Sequence, residues 1–244
     1  PGHVHLINGL YDAHRSNCPV LAIASTCPSD QFGTGYFQET DPIRLFDDCS
    51  GYNQMAVTPA QFARMLPAAL QHAIHRREVA VVGLPGDVAA SPCAESPGAS
   101  GPLPSHGIYR PLDGELRQLA EMIGSAERIT VFCGIGAREA HDEVVRLAAM
   151  LKAPVAYTFK AKMEVQYDNP YEIGMTGLLG LPSAYGAMHE SDLLLLLGTD
   201  FPYDCFLPSE CRIAQVDIRP ERIGRRARVE LGLAGDVKEL SLIH

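Results

Sequence analysis

Apolar and polar positions along the chain fall into blocks with two different periods. In Val4–Tyr11, Leu6, Ile7 and Leu10 share one side, as on a helix. Val20–Ala24 is a short apolar run between Pro19 and Pro28, which predicts a strand. A helix start follows, with Thr58 as N-cap, Pro59 at the first helical position and Gln61 at the capping-box position. Phe62, Met65, Leu66, Ala69, Leu70 and Ala73 then supply a face of 3.6-residue period. Val79–Leu84 predicts the next strand, stopped by Pro85-Gly86. Strands separated by helices imply an α/β layer architecture with parallel strands.

The pattern breaks at residues 89–107, AASPCAESPGASGPLPSHG, where four prolines and three glycines replace any apolar period. We therefore divide the chain into a first domain over 1–90, a linker over 91–108 and a second domain over 109–244. In the second domain Leu112, Leu116, Leu119, Ala120 and Ile123 form a helix face, and Ala140–Leu151 predicts another helix. Arg128–Cys133, Val155–Thr158, Leu193–Leu197 and Arg212–Val216 predict strands. Ser183–His189 reads as helical and Pro220–Ile223 as a short turn. This is a Rossmann-like parallel sheet. The first domain has too few strands for a complete doubly wound sheet. With an opening at Pro1-Gly2 rather than Met, it reads as the later part of a larger domain.

Composition narrows the classes. The 244 residues, 46% apolar and 20% charged, are ordinary for one or two globular domains. Twenty Lys and Arg against 29 Asp and Glu give a net charge of −9, which argues against a nucleic-acid surface. The aliphatic run Leu193–Leu197 falls far short of the about 20 residues of a membrane span, and no secretory signal opens the chain. Seven cysteines, an odd number without Cys-x-x-Cys, indicate reduced, intracellular usage and a cytoplasmic location. The nine histidines form no His-Glu-x-x-His set, so no metal site is expected within the chain.

In an open parallel sheet ligands bind beyond the carboxyl ends of the strands, and candidate residues stand there. Gly134 and Gly136 follow the first strand and allow close backbone approach to a phosphate, or simply a tight turn. Lys160 follows the second, where a nicotinamide-binding unit would carry an acid; it can neutralise a phosphate or be a solvated lysine. Thr176, Gly177, Leu178 and Leu179 lie in a glycine-rich loop able to donate N–H groups to an anion, or in a plain connector. Thr199, Asp200, Phe201, Pro202 and Tyr203 follow the leucine strand, and the aromatic pair can wall a flat ring. Asp217 can accept from ribose hydroxyls or cap a helix, and Asp236 can be another cap or an adenine-side contact. Arg222, Arg225, Arg226 and Arg228 read as a solvated basic face. The missing acid after the second strand favours FAD over NAD. In the first domain His14 ends the first helix, where it can handle protons or complement the helix dipole. Phe37 and Gln38 offer an aromatic beside an amide at a loop end.

Taken together, Pro1-Gly2-x-x-His5-Leu6-Ile7-Asn8-Gly9-Leu10, Pro19–Ile23, Gly35-Tyr36-Phe37-Gln38-Glu39, Leu84-Pro85-Gly86-Asp87, Gly174–Gly180, Gly198–Tyr203 and Gln215–Ile218 resemble the thiamine-diphosphate enzymes of the pyruvate oxidase group. The first three motifs are shared with acetolactate synthases. The resemblance implies the later part of a pyrimidine-binding thiamine domain followed by a Rossmann-like, DHS-like FAD-binding domain. It implies a flavoprotein oxidoreductase that decarboxylates pyruvate to acetate and carbon dioxide and passes electrons to a quinone. FAD contacts are implied at Thr176–Leu179, Thr199–Tyr203 and Asp217, and a thiamine and substrate site at His14, Phe37 and Gln38. Thiamine diphosphate and Mg2+ would serve the parent protein, because the family's activating glutamate and its Gly-Asp-Gly…Asn metal segment are absent from this chain. The resemblance also implies a homotetramer, and a parent peripheral on the inner face of the cell membrane. Alternatives are an acetolactate synthase-like carboligase with structural FAD, or an FAD-binding module inactive in isolation.

Overall fold

The computed structural model describes residues 2–93, 101, 103, 105 and 107–242. The chain forms two compact units, Pro1–His106 and Gly107–His244. The linker expected over 91–108 falls largely outside the described residues.

In the first unit β1 (Val20–Thr26), β2 (Tyr52–Met55) and β3 (Val79–Pro85) make a parallel sheet in the order β1-β3-β2. The helices are α1 (Ile7–Ser16), α2 (Pro42–Leu45), α3 (Pro59–Arg76) and α4 (Gly86–Ala90). Side chains of β3 alternate between two layers, as a strand requires. Val79 and Val81 pack with Leu10 and Ala13 of α1, while Ala80 and Val82 pack with Met65, Ala69 and Ala73 of α3. The α3 start forms nearly as read. Thr58 Oγ1 accepts the Gln61 N–H at 3.1 Å, and Gln61 Oε1 accepts from Val57 N–H at 2.7 Å, one residue before the cap. The helix expected from Val4 differs: Gly2–Leu6 is a 3-10 turn, and the α-helix runs from Ile7 to Ser16.

The second unit holds β4 (Ile129–Cys133), β5 (Val155–Tyr157), β6 (Glu172–Met175), β7 (Leu193–Leu197), β8 (Arg212–Asp217) and β9 (Leu231–Ala234). All pair in parallel, in the order β6-β5-β4-β7-β8-β9. Its helices are α5 (Asp113–Gly124), α6 (His141–Leu151), α7 (Lys162–Val165) and α8 (Pro182–Glu190). Leu193, Leu195 and Leu197 pack in one cluster with α5 and α6; Leu194 and Leu196 pack in another with Ala184 and Met188 of α8. Burial on both faces explains the unbroken leucine run. Among the described residues no helix is long and apolar enough to cross a membrane.

Asp192, at the entry to β7, holds the start of β4. Its carboxylate accepts the N–H groups of Glu127 and Arg128 at 2.9 and 3.0 Å. The Glu127 amide, and then that of Arg128, holds the carboxyl below its ordinary pKa. A depressed folded-state pKa gives stability that is present above the unfolded value, about 3.9, and is lost as pH falls through the folded one. We expect Asp192→Asn to melt below the parent at pH 7, and the gap to close below about pH 4. Melting curves from pH 3 to 7 check this; a gap that does not depend on pH would exclude the carboxylate as its source.

Candidate functional site

The strand order of the second unit reverses between β4 and β7, the position at which open parallel sheets bind ligands. Gly134 N–H donates to Leu197 O at 2.9 Å and Gly136 N–H to Gly198 O at 2.9 Å. A Cβ on Gly134 would come within 2.3 Å of Gly198 O and 2.5 Å of Thr199 Cβ. For Gly134 and Gly136 this geometry fits the tight-turn reading. Their amides are already donated, a 3-10 turn Ile135–Ala137 follows them, and α6 begins only at His141. The glycines let two loops touch backbone to backbone.

The loop after β6 is a tight fold, with Gly180 N–H donating to Gly177 O at 2.8 Å and Leu181 N–H to Met175 O at 2.7 Å. Gly177 has φ +110°, and a Cβ there would meet Phe201 Cζ at 3.0 Å. The loop thus reaches the segment after β7, three strand spacings and about 14 Å away across the sheet. Phe201 is buried, edge-on to Phe132 at 5.3 Å and to Tyr203 at 5.5 Å. Thr176 is 5% exposed, and its Oγ1 is buried without a hydrogen-bond partner among the described residues. Such an orphan costs about 1–3 kcal/mol. Leu178 and Leu179 stand out at the loop tip, 72% and 70% exposed. One unsatisfied hydroxyl, a close-packed backbone and an aromatic wall suit a ligand with a flat apolar ring and few polar atoms.

The remaining strand-end residues divide. Asp217 is buried at the end of β8, its Oδ1 accepting from Arg219 N–H at 2.9 Å. Burial pushes its carboxyl up, against the pull of the Arg219 amide and the Arg222 charge. Asp200 is committed elsewhere: its two oxygens pair with Arg225 Nη1 and Arg226 Nε, both at 3.1 Å. Those two arginines therefore brace the Gly198–Tyr203 loop and, with Arg228, stay exposed, as the solvated-face reading of the basic run expects. Asp236 caps the final 3-10 turn Val237–Leu242, accepting Lys238 N–H at 3.0 Å. Lys160 and Pro202 are exposed, and Thr199 is buried with its carbonyl accepting the Gln215 amide at 3.2 Å.

The first unit carries an open groove of about 600 Å³ at the carboxyl end of β1, lined among others by His3, Leu6, Cys27, Phe37 and Gln38. Phe37 is 81% exposed at its rim, and Gln38 has φ +61°, a left-handed conformation costing about 1–2 kcal/mol outside glycine. His14 is not among the lining residues. It lies in the last turn of α1, about 12 Å along the axis from Leu6, with Nδ1 buried and unpartnered among the described residues. The groove's histidine is His3, which sequence reasoning missed. It is buried: Nδ1 donates to Ser25 O at 2.8 Å and Nε2 accepts from Thr40 Oγ1 at 2.9 Å. Burial pushes its pKa down, partly opposed by the Ser25 bond, which keeps the ring neutral near pH 7. In a 3-10 turn residues i and i+3 eclipse, so His3 lines the groove with Leu6 while His5 faces out; a 3.6 period carried back past Val4 would likewise have set His3 with Leu6, Ile7 and Leu10 and His5 opposite.

Comparison with known proteins bears on both units. The family model for "Thiamine pyrophosphate enzyme, central domain" matches residues 116–242, more than half of the chain. An uncharacterised 42.6 kDa protein from the isoamylase 3' region of Pseudomonas amyloderamosa is 48% identical over 97% of this chain and 60% of its own length. The pyruvate oxidase of Lactiplantibacillus plantarum is 28% identical over 98% of this chain and 40% of its own length. An acetolactate synthase of Mycobacterium bovis is 30% identical over 98% of this chain and 40% of its own length. The chain thus spans between two fifths and three fifths of these curated relatives. A solved structure described as a candidate thiamin diphosphate-dependent enzyme from Mycobacterium smegmatis superposes with a TM-score of 0.79 at 20% identity, covering 97% of this chain and 47% of that one. At that identity the likeness establishes the shared α/β fold.

Proposed function

The chain belongs to the thiamine pyrophosphate enzymes, and from that premise we infer that it is part of a flavin-dependent enzyme that oxidatively decarboxylates pyruvate, or a related 2-oxo acid, and passes the electrons to a quinone. The observation that carries the flavin is Thr176. A buried hydroxyl without a partner among the described residues, at the foot of the Gly177–Gly180 loop and beside the Phe201–Tyr203 wall, fits the polar edge of an isoalloxazine ring. Asp217, buried at the next strand end, suits a ribose hydroxyl. When bound, thiamine diphosphate supplies an electron sink for decarboxylation and FAD a two-electron acceptor. The chain's own residues bind and orient. Phe201 and Tyr203 exclude water from the ring face. Gln38 offers both a donor and an acceptor to a 2-oxo acid at the groove, and neutral His3 holds the strand end behind it.

A carboligase is the second reading, because the acetolactate synthase is as similar to this chain as the pyruvate oxidase is. In it FAD would be structural. The full-length protein supplied with pyruvate, thiamine diphosphate, Mg2+ and a quinone separates the two: acetate with quinone reduction supports the oxidase, and acetolactate without reduction overturns it. Thr176→Val tests the flavin site itself. Removing an orphaned hydroxyl should stabilise the flavin-free chain by about 1 kcal/mol and weaken FAD binding roughly tenfold. Thermal melts and flavin fluorescence titration measure both; unchanged FAD affinity would remove Thr176 from the site.

A further inference from the structure

The groove rim is built on a loop with little regular structure, and one carboxylate organises it. Glu39 Oε1 accepts the Gly33 N–H at 2.6 Å, and Oε2 accepts from Gly35 at 2.9 Å and Tyr36 at 3.1 Å. The Glu39 N–H in turn donates to Tyr36 O at 2.9 Å. The donors converge because Gly33 and Gly35 take φ +78° and +74°, which turns successive amides toward one point. Downstream, Thr40 is tied to buried His3 through its hydroxyl and accepts from Thr26 Oγ1 at 3.3 Å through its carbonyl. Phe37 and Gln38 therefore lie between two anchors, one made by Glu39 and one by Thr40. Charge-assisted bonds to a carboxylate are shorter and stronger than neutral ones, so the Glu39 anchor is the firmer part of this frame.

We propose that Glu39 is the positioning residue of the groove, setting the substrate-facing placement of Phe37 and Gln38 through the backbone of residues 33–36 without touching the substrate. The proposal rests on the reading of the groove as a 2-oxo-acid site. Specificity at the rim is then controlled by a side chain turned inward on its own loop, and changing Phe37 alone would alter shape while leaving placement intact.

Two measurements on the full-length protein test it. Amide hydrogen exchange should show Gly33, Gly35 and Tyr36 protected in the parent and exchanging at least about tenfold faster in Glu39→Ala, with β1 and β3 unchanged as the folding control. Glu39→Gln keeps one acceptor oxygen and should recover part of the protection. In steady-state kinetics, Glu39→Ala should raise KM for pyruvate at least tenfold, with a smaller fall in kcat, and Glu39→Gln should fall between the two. Unchanged exchange at residues 33–36 overturns the proposal. So does faster exchange with unaltered kinetics, because the carboxylate would then only brace the loop. If the parent turns over no 2-oxo acid, the reading of the groove fails, and the exchange arm still decides whether Glu39 holds the rim.

Discussion

Gly134→Ala lowers the melting temperature of the second unit by about 10 °C. The added methyl would lie 2.3 Å from Gly198 O and 2.6 Å from Thr199 Cα, both backbone atoms held by strand-end hydrogen bonds. No side-chain rotation relieves that overlap, so the loops after β4 and β7 must separate. Overpacking commonly costs 1–3 kcal/mol, and a contact with fixed backbone falls at the upper end, about 3 kcal/mol. For a unit of this size that is about 10 °C. A control in the same unit isolates the cause: at Gly114, in α5, a Cβ meets nothing within 4 Å. Gly114→Ala should leave stability unchanged or raise it by about 0.5 kcal/mol through helix propensity. Calorimetry on both variants decides. A drop below about 2 °C for Gly134→Ala would mean that these loops do not meet backbone to backbone.

Phe201→Ala should cost about 3–4 kcal/mol and, if the proposed flavin site is right, abolish flavin binding as well. The ring is buried between Phe132, Tyr203 and Phe206 and lies beneath Gly177, so its removal leaves a void at the foot of the loop that carries Thr176. Phe201→Leu refills most of the volume but loses the three edge-on pairs, each worth about 0.5–1.5 kcal/mol, and should sit near a loss of about 2 kcal/mol, short of Phe201→Ala. Urea unfolding with an unchanged slope measures the stability change, and flavin fluorescence measures affinity. Full flavin affinity in a folded Phe201→Ala protein would remove the aromatic wall from the site.

The sequence makes the core strands plain and the edges obscure, for a physical reason. β3, β4, β7 and β8 are buried on both faces, and their apolar runs announce them. The strands not anticipated, β2, β6 and β9, are all sheet edges of four residues: YNQM, EIGM and LGLA. Four residues are too few for alternation or a run to stand out, whereas the seven-residue edge strand β1 carries an apolar run and was legible. Among the site residues, Phe201 and Thr176 stand at strand ends, and Phe37 and Gln38 line the groove of the first unit. Residues whose role depends on a partner far along the chain were not legible. Asp200 meets Arg225 and Arg226, and His3 meets Ser25 and Thr40; no local period encodes these meetings. His14, of suitable chemistry, stands about two helical turns from the groove, a distance that its place in the sequence does not reveal.

The strand order of the second unit also governs the sequence of events in folding. β4, the strand at the middle of the sheet, pairs with β7, so that Ile129 waits for Leu193, more than 60 residues later. During synthesis, β4, β5 and β6 can associate early, but one side of β4 remains an open apolar edge until the leucine strand has left the ribosome. Non-local parallel pairing of this kind folds slowly and exposes strand edges meanwhile. The nascent second unit therefore passes its most aggregation-prone interval between the emergence of Cys133 and that of Leu197, and pausing of translation within that window would lower the soluble yield of the protein.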